Sequence, residues 1–327
     1  MKLLKIIPDK TTVPFTKYRW HALALTAISF VVAIALLVKP GLNLGVDFRG
    51  GITIEVEDTA PVDLGQVRGA IGALNLGSYK VQEFGAPNII VVIVDPANIV
   101  NAQGGAGEEA GSEADEALQA ASTQVQDALR QTLGEDITFR NRSVVGPTVS
   151  GELVHRGVMA VVFATGLMLV YIWIRFQWQW GVGAVIGVVH DSIITVGIYA
   201  LLQLEFNLAT IAAILTVIGY SVNDTVVVYD RIRENLRKYK KMPLAELIDL
   251  SLNETLTRTI VTGGTTLITL LALVFFGGEV LRGFAIMITL GIIIGTYSSL
   301  FVASPFLLLT GVKRDAGAGA QAAAQTP

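Results

Sequence analysis

Three ionisable side chains stand among residues that otherwise suit hydrocarbon. Asp224 follows the apolar run LATIAAILTVIG (208–219), and Asp191 sits beside His190 in VVHDSIITVG (188–197). Arg258 opens a series with Thr262, Thr265, Thr266 and Thr269, spaced i, i+4, i+7, i+8 and i+11. A charge inside a bilayer is costly, so such residues mark ion or proton routes unless they only neutralise each other. A carboxyl can load and unload a proton, whereas a guanidinium keeps its own and can only modulate the acid. By helical spacing Thr216, Tyr220, Asn223, Asp224 and Val227 are expected on one face, and Thr195 and Tyr199 above Asp191. Lipid satisfies no polar group, so these stripes are expected to converge on an internal seam, with Arg258 within reach of Asp224. The plainer alternatives are a static ion pair for Asp224 and, for Asp191, satisfaction by His190 or a threonine. Three histidines and no cysteine argue against a metal site, and the missing thiols exclude disulfides.

Positioning such residues needs membrane helices. The 327-residue chain is 52% hydrophobic and 16% charged, with a mean hydropathy of +0.58. Six stretches are long enough to cross about 30 Å of hydrocarbon: 20–38, 154–174, 181–202, 208–230, 258–276 and 283–309. The first contains AIA at 33–35, which resembles a cleavage site. Its unbroken apolar run up to KPG favours an uncleaved helix. Lysine and arginine are concentrated in the tail 1–19, in the expected loop 231–257 and in the tail 310–327. That bias predicts both ends on the cytoplasmic side. Segment 39–152, with 7 basic and 16 acidic residues, then falls outside.

Segment 39–152 reads as an α+β domain. GITIEVE (51–57) alternates apolar and polar residues as a half-buried strand does. Asp63 is an expected N-cap for a helix with Leu64, Val67, Ala70, Ile71 and Leu74 on its apolar face. YKVQEF (79–84) and NIIVVIVD (88–95) are expected strands flanking the turn GAPN, 114–133 an amphipathic helix, and 136–145 a last strand. The order β-α-β-β-α-β is that of a ferredoxin-like unit. The Gly- and Glu-rich stretch 97–114 is expected as a flexible insertion, and the tail 310–327 as disordered. Gly146, Pro147 and Gly151 form an expected hinge where the domain rejoins the membrane part. Gly183-x-x-x-Gly187 and Gly291-x-x-x-Gly295 are expected packing notches between helices.

Six stretches also carry a resemblance: LGVDFRGG (44–51), VVGPTVSGEL (144–153), VVHDSIITVG (188–197), IGYSVNDTVVVYDRIRENLR (218–237), LNETLTRTIVTGGTTL (252–267) and GTYSSLFVASP (295–305). In this order and spacing they resemble the SecF family, the smaller membrane subunit of the SecDF accessory complex of the Sec translocase, within the RND superfamily. The resemblance implies an RND-like half with a periplasmic ferredoxin-like domain between helices 1 and 2, in the bacterial inner membrane. It implies no enzyme activity and no cofactor, protons being the coupling ion. It implies as partners SecD, the SecYEG channel, YajC, YidC and a translocating preprotein, and no nucleic acid. It carries the proton relay onto Asp224 and Arg258, with Asp191 as a further member. The supporting polar residues are then Tyr220, Asn223, Thr262, Thr265, Thr266 and Thr269. Set against it are a half-transporter of lipid or small molecules, a non-conducting scaffold, and an intramembrane aspartyl protease using Asp191 and Asp224. The last is disfavoured by the missing Gly-x-Gly-Asp environment.

Overall fold

The computed structural model describes residues 11–95, 108–175, 178–310 and 312. A short 3-10 turn (Phe15–Tyr18) leads into α1 (Arg19–Val38). The chain then builds a separate domain from β1 (Asn43–Leu44), the single turn α2 (Val46–Arg49), β2 (Gly51–Glu57), α3 (Leu64–Ala73), β3 (Tyr79–Phe84), β4 (Ala86–Val94), α4 (Glu108–Leu133) and β5 (Thr138–Val145). It returns through α5 (Pro147–Arg175), α6 (Trp178–Leu201), β6 (Glu205–Phe206), α7 (Leu208–Lys238), α8 (Leu244–Phe276) and α9 (Gly278–Ser298). A π-helical turn (Ser299–Ala303) joins α9 to α10 (Ser304–Thr310).

The inserted domain has the ferredoxin-like arrangement. Its four antiparallel strands lie in the order β3-β4-β2-β5. Alternation puts Ile52, Ile54 and Val56 on the face that α3 and α4 cover, where they meet Val67, Ile71, Leu118, Val125 and Leu129. The Asp63 carboxylate caps α3 by accepting from the Gly65 amide at 2.7 Å. Gly85, at φ 81°, lets β3 fold straight back into β4, so β3 ends just before GAPN and β4 begins within it. Helix α4 starts at Glu108, before the expected residue 114; of the expected insertion 97–114, residues 97–107 lie outside the described residues. The uncovered face of the sheet looks onto the ends of the bundle across a cleft of about 850 Å³.

In the membrane part six helices are long and apolar enough to cross a bilayer. Helices α6, α7 and α9 form its centre: half or more of each apolar stretch is buried, against 11% for α1 and α5 and 17% for α8. Glycines set the contact distances. A Cβ on Gly291 would stand 2.2 Å from Val217 of α7, and one on Gly183 2.5 Å from the Tyr229 hydroxyl. Bare backbone at these points lets the helices approach closely, as membrane packing requires.

The segment 231–257 is not a loop. Helix α7 continues to Lys238 and α8 begins at Leu244, leaving only 239–243 as the connection. The two extensions hold each other through a buried bond from the Asn235 amide to the Ser251 hydroxyl at 2.9 Å. The N-terminal segment also docks there. Asp249 accepts from the Thr16 amide and hydroxyl, and Asn253 exchanges bonds with the Val13 backbone. Continuous hydropathy falls off past Asp230, whereas buried Ile232, Leu236, Leu247, Ile248, Leu252 and Leu256 keep an apolar face at helical spacing, so a reading by hydropathy stops short of these helices.

Gly291→Ala is expected to lower stability by about 1–3 kcal/mol, because the Val217 side chain has no free direction to yield. Gly264→Ala, where nothing stands within 4 Å, should be neutral or stabilising. Unfolding temperatures of the two purified variants in one detergent check this.

Candidate functional site

Helix α7 buries Val217, Ser221, Asp224, Thr225 and Val228, a stripe offset by one position from the expected one. Thr216 and Asn223 are exposed, and Tyr220 is half-buried. Adjacent residues on a helix point about 100° apart, so Asn223 cannot share the surroundings of Asp224. Near the middle of α7, Asp224 is 7% exposed. Its Oδ1 accepts from the Thr259 hydroxyl of α8 at 2.8 Å, and its Oδ2 accepts from the Ser299 hydroxyl of the π-turn. Among the described residues no lysine, arginine or histidine lies within 4.0 Å of this carboxyl.

Asp191, 1% exposed, lies on α6. Its Oδ2 accepts from Ser298 at 2.7 Å and also from Ser221 of α7. Its Oδ1 is 2.9 Å from His190 Nδ1. The imidazole is buried, packs beside the Tyr297 ring, and leaves its Nε2 without a partner. Thr195, buried nearby in sequence on α6, also leaves its hydroxyl unpartnered, and the Tyr199 hydroxyl donates to the Glu205 carbonyl. The two acids are therefore held by neighbouring residues of one turn, Ser298 for Asp191 and Ser299 for Asp224. Sequence reasoning missed these serines, along with Ser221 and Thr259. The signal available was small hydroxyl residues at positions of otherwise apolar helix faces.

The threonine stripe of α8 does not join this cluster. Arg258, Thr262, Thr265 and Thr269 are exposed on the outer face of the helix, and Thr266 is half-buried. Each of these threonine hydroxyls donates to the carbonyl four residues earlier in its own helix: Thr262 to Arg258, Thr265 to Val261, Thr266 to Thr262, and Thr269 to Thr265. A threonine in a helix can satisfy itself this way, so a polar stripe need not face protein. Tyr220 bridges the two faces through its interactions with Thr262 and Thr266. Arg258 makes no ion pair with Asp224 and acts on it only by Coulombic attraction over a longer distance.

Where the domain meets the bundle, the segment after α1 is clamped to the α6–α7 connection. β1 pairs in parallel with β6, the Gly45 amide donates to Phe206 at 2.8 Å, and Asp47 accepts from the Leu208 amide at the start of α7. Gly50 and Gly51 have φ of 76° and 120°, a conformation that a side chain would strain. Glu205 lies against Gly45. Desolvation by the packed junction raises the Glu205 pKa, the Asp47 carboxylate adds to this, and Lys80 partly offsets it. At the expected hinge, β5 ends at Val145 and α5 starts at Pro147, so strand passes into helix through Gly146 alone. A Cβ on Gly146 would collide with the Asp115 carboxylate, whereas Gly151 has open space around it.

Comparison with known proteins decides the lineage. Residues 124–313 match the family described as protein export membrane protein SecD/SecF, C-terminal, and residues 35–57 match the SecD/SecF GG motif. The chain is 44% identical to the protein translocase subunit SecF of Cereibacter sphaeroides, over 97% of both chains. The chain belongs to the SecF family of protein translocase subunits. It is also 41% identical to SecF of Rickettsia rickettsii, over 94% of both. In Brucella abortus the matching protein is a fused SecDF, 38% identical over 97% of this chain and 40% of that one. The crystal structure of SecDF from Thermus thermophilus, described as a translocon-associated membrane protein, superposes with a TM-score of 0.75 at 32% identity. It too is longer, this chain covering 40% of it. A multi-pass membrane protein of the protein-export machinery is thus the established frame. Gly50 and Gly51, whose backbone conformation a side chain would strain, lie within the match to the GG motif.

Two measurements test this geometry. Thr259→Val and Ser299→Ala each remove one of two donors to Asp224. Each is expected to cost about 1–3 kcal/mol in wild type and clearly less in an Asp224→Asn background, read as a double-mutant cycle of unfolding in detergent. For Glu205, a raised folded pKa means the junction is most stable while the carboxyl is protonated, and that contribution is lost as pH rises through the raised value. The hydrogen-exchange protection factor of the Gly45 amide should fall over that window in wild type and stay level in Glu205→Gln.

Proposed function

We propose that this chain works with SecD as a proton-driven subunit of the Sec translocase, promoting late, ATP-independent steps of protein export across the bacterial inner membrane. The observation that carries this is the Asp224 carboxyl, buried at mid-span, held by neutral hydroxyls and, among the described residues, contacted by no cation. A carboxyl in that setting can be loaded and emptied without first breaking an ion pair. The fused SecDF of Brucella abortus supports SecD as the partner. By the same kinship SecYEG, YajC and YidC are the neighbouring components, and a preprotein emerging on the outer side is the load. The lysine and arginine bias puts both ends in the cytoplasm and the ferredoxin-like domain in the periplasm.

In this reading Asp224 is the proton carrier in this subunit. Arg258 sits on the outer face of α8, one residue before Thr259, which bonds Asp224. It tunes the acid from there and faces the SecD half, which supplies a further acid. One charge crossing about 100 mV releases roughly 2.3 kcal/mol, and one pH unit adds about 1.4 kcal/mol. Their sum can bias two arrangements of packed helices without locking either. A shift of the bundle reaches the periplasmic domain by two routes: the direct β5-to-α5 passage at Gly146, Pro147 and Gly151, and the clamp between β1 and β6.

Proteoliposomes holding SecD and this chain test the reading. Asp224→Asn is expected to reduce proton flux to background and to abolish the potential-dependent part of preprotein export. Arg258→Met should impair flux while leaving the protein folded. Flux through Asp224→Asn equal to wild type would sink the relay.

A further inference from the structure

We infer that Asp191 and Asp224 form one coupled proton-loading unit, joined through the adjacent hydroxyls of Ser298 and Ser299. This rests on the reading of Asp224 as a proton carrier and extends it to a second acid with named positioning residues. The two serines are fully buried, stand at the end of α9 and the start of the π-turn, and donate one to each carboxylate. A second tie runs from Ser221, one turn before Asp224 on α7, to Asp191. Gly295 packs against these groups: a Cβ there would stand a tight 3.3 Å from Ser221 Cβ and in ordinary contact, 3.6 Å, with Asp191 Oδ2.

Each serine has a second acceptor in reach. Ser298 Oγ lies 3.2 Å from the Gly295 carbonyl and Ser299 Oγ 3.1 Å from the Thr296 carbonyl. An ionised carboxylate only accepts, so both hydroxyl protons point at the acids. Once a proton adds to a carboxylate oxygen facing its serine, that oxygen becomes a donor. The serine oxygen must then accept, and its own proton turns to the backbone carbonyl of α9. No covalent bond other than the new O–H changes. Loading either acid therefore alters the hydrogen bonding of the turn that also carries the serine of the second acid. The π-turn is suited to respond, because its ladder is already irregular and Ser304 closes it by donating to the Ser299 carbonyl at 2.7 Å.

Other charged or titratable groups facing the pair are few. His190 adjoins Asp191 on α6, with Tyr297 of α9 against its ring. Tyr220 of α7 and Arg258 of α8 act on Asp224 at longer range. Helices α1 and α5 carry their charged residues at their ends, Arg19 and His21 on one, Glu152, His155, Arg156 and Arg175 on the other.

The test is a pH titration of carboxyl C=O stretching by difference infrared spectroscopy on the full chain in lipid nanodiscs. The Asp224 band is the one that Asp224→Asn removes. Asp191→Asn, which keeps the volume and an acceptor oxygen, is expected to move the Asp224 midpoint by about one pH unit, the scale at which two sites titrate as a pair. In a Ser298→Ala, Ser299→Ala background the same change should move it clearly less. An Asp224 midpoint that Asp191→Asn leaves in place overturns the inference, even if the double alanine variant fails to fold. So does a shift of equal size with and without the serines. Proton flux in the SecD proteoliposomes is read separately: normal relay with independent titrations removes the coupling and keeps the relay, whereas lost relay function with coupled titrations does the reverse.

Discussion

Two carboxyl groups are buried at the centre of an apolar bundle, and the rest of the membrane part is arranged around keeping them satisfied there. An unpaired polar group in a low-dielectric interior costs several kcal/mol, so each acid must collect donors from more than one helix. Asp224 takes them from α8 and the π-turn, Asp191 from α7 and α9. The helices cannot separate or rotate without stranding a carboxylate. Gly187, beside Ser298, and Gly295, beside Ser221 and Asp191, fit this demand, because a hydroxyl on a short side chain reaches an acid on the next helix only when the backbones nearly touch.

The same constraint explains the division of labour among the spans. Helices α6, α7 and α9 pack against one another with half or more of each apolar stretch buried, while α1, α5 and much of α8 present apolar flanks outward. Arg258 belongs to that outward population. Its helix thus touches the buried acid with Thr259 on one side and shows a guanidinium on the other, linking the interior to whatever packs against it. The clamp of β1 on β6 plays the comparable role at the opposite end, tying the ferredoxin-like domain to the α6–α7 connection.

The ferredoxin-like order and the buried strand pattern of Ile52, Ile54 and Val56 were legible from periodicity, which reports burial on one face of one element, the Asp63 cap from its residue type, and the six spans from length and hydropathy. The reading fell short at two places. Residues 231–238 and 244–257 lost the unbroken hydropathy of a span and yet stayed helical, with Ile232, Leu236, Leu247, Ile248, Leu252 and Leu256 keeping a buried apolar face. The threonine series on α8 had a clear period and pointed outward, because each hydroxyl was answered by its own helix.

By itself the sequence determined that ionisable residues lie within membrane helices, which helices those are, and that a strand-rich domain separates the first two. Chemistry and spacing along one chain carry that much. Which acid meets which hydroxyl was decided by the tertiary structure alone. Ser221, Thr259, Ser298 and Ser299 are unremarkable small residues in their own helices, and they become ligands of a carboxylate only through the rotation and close approach of four packed helices. Arg258 lost its expected direct contact with Asp224 for the same reason: a rotation of about 100°, the step between neighbouring residues, separates the inside of a helix from its outside.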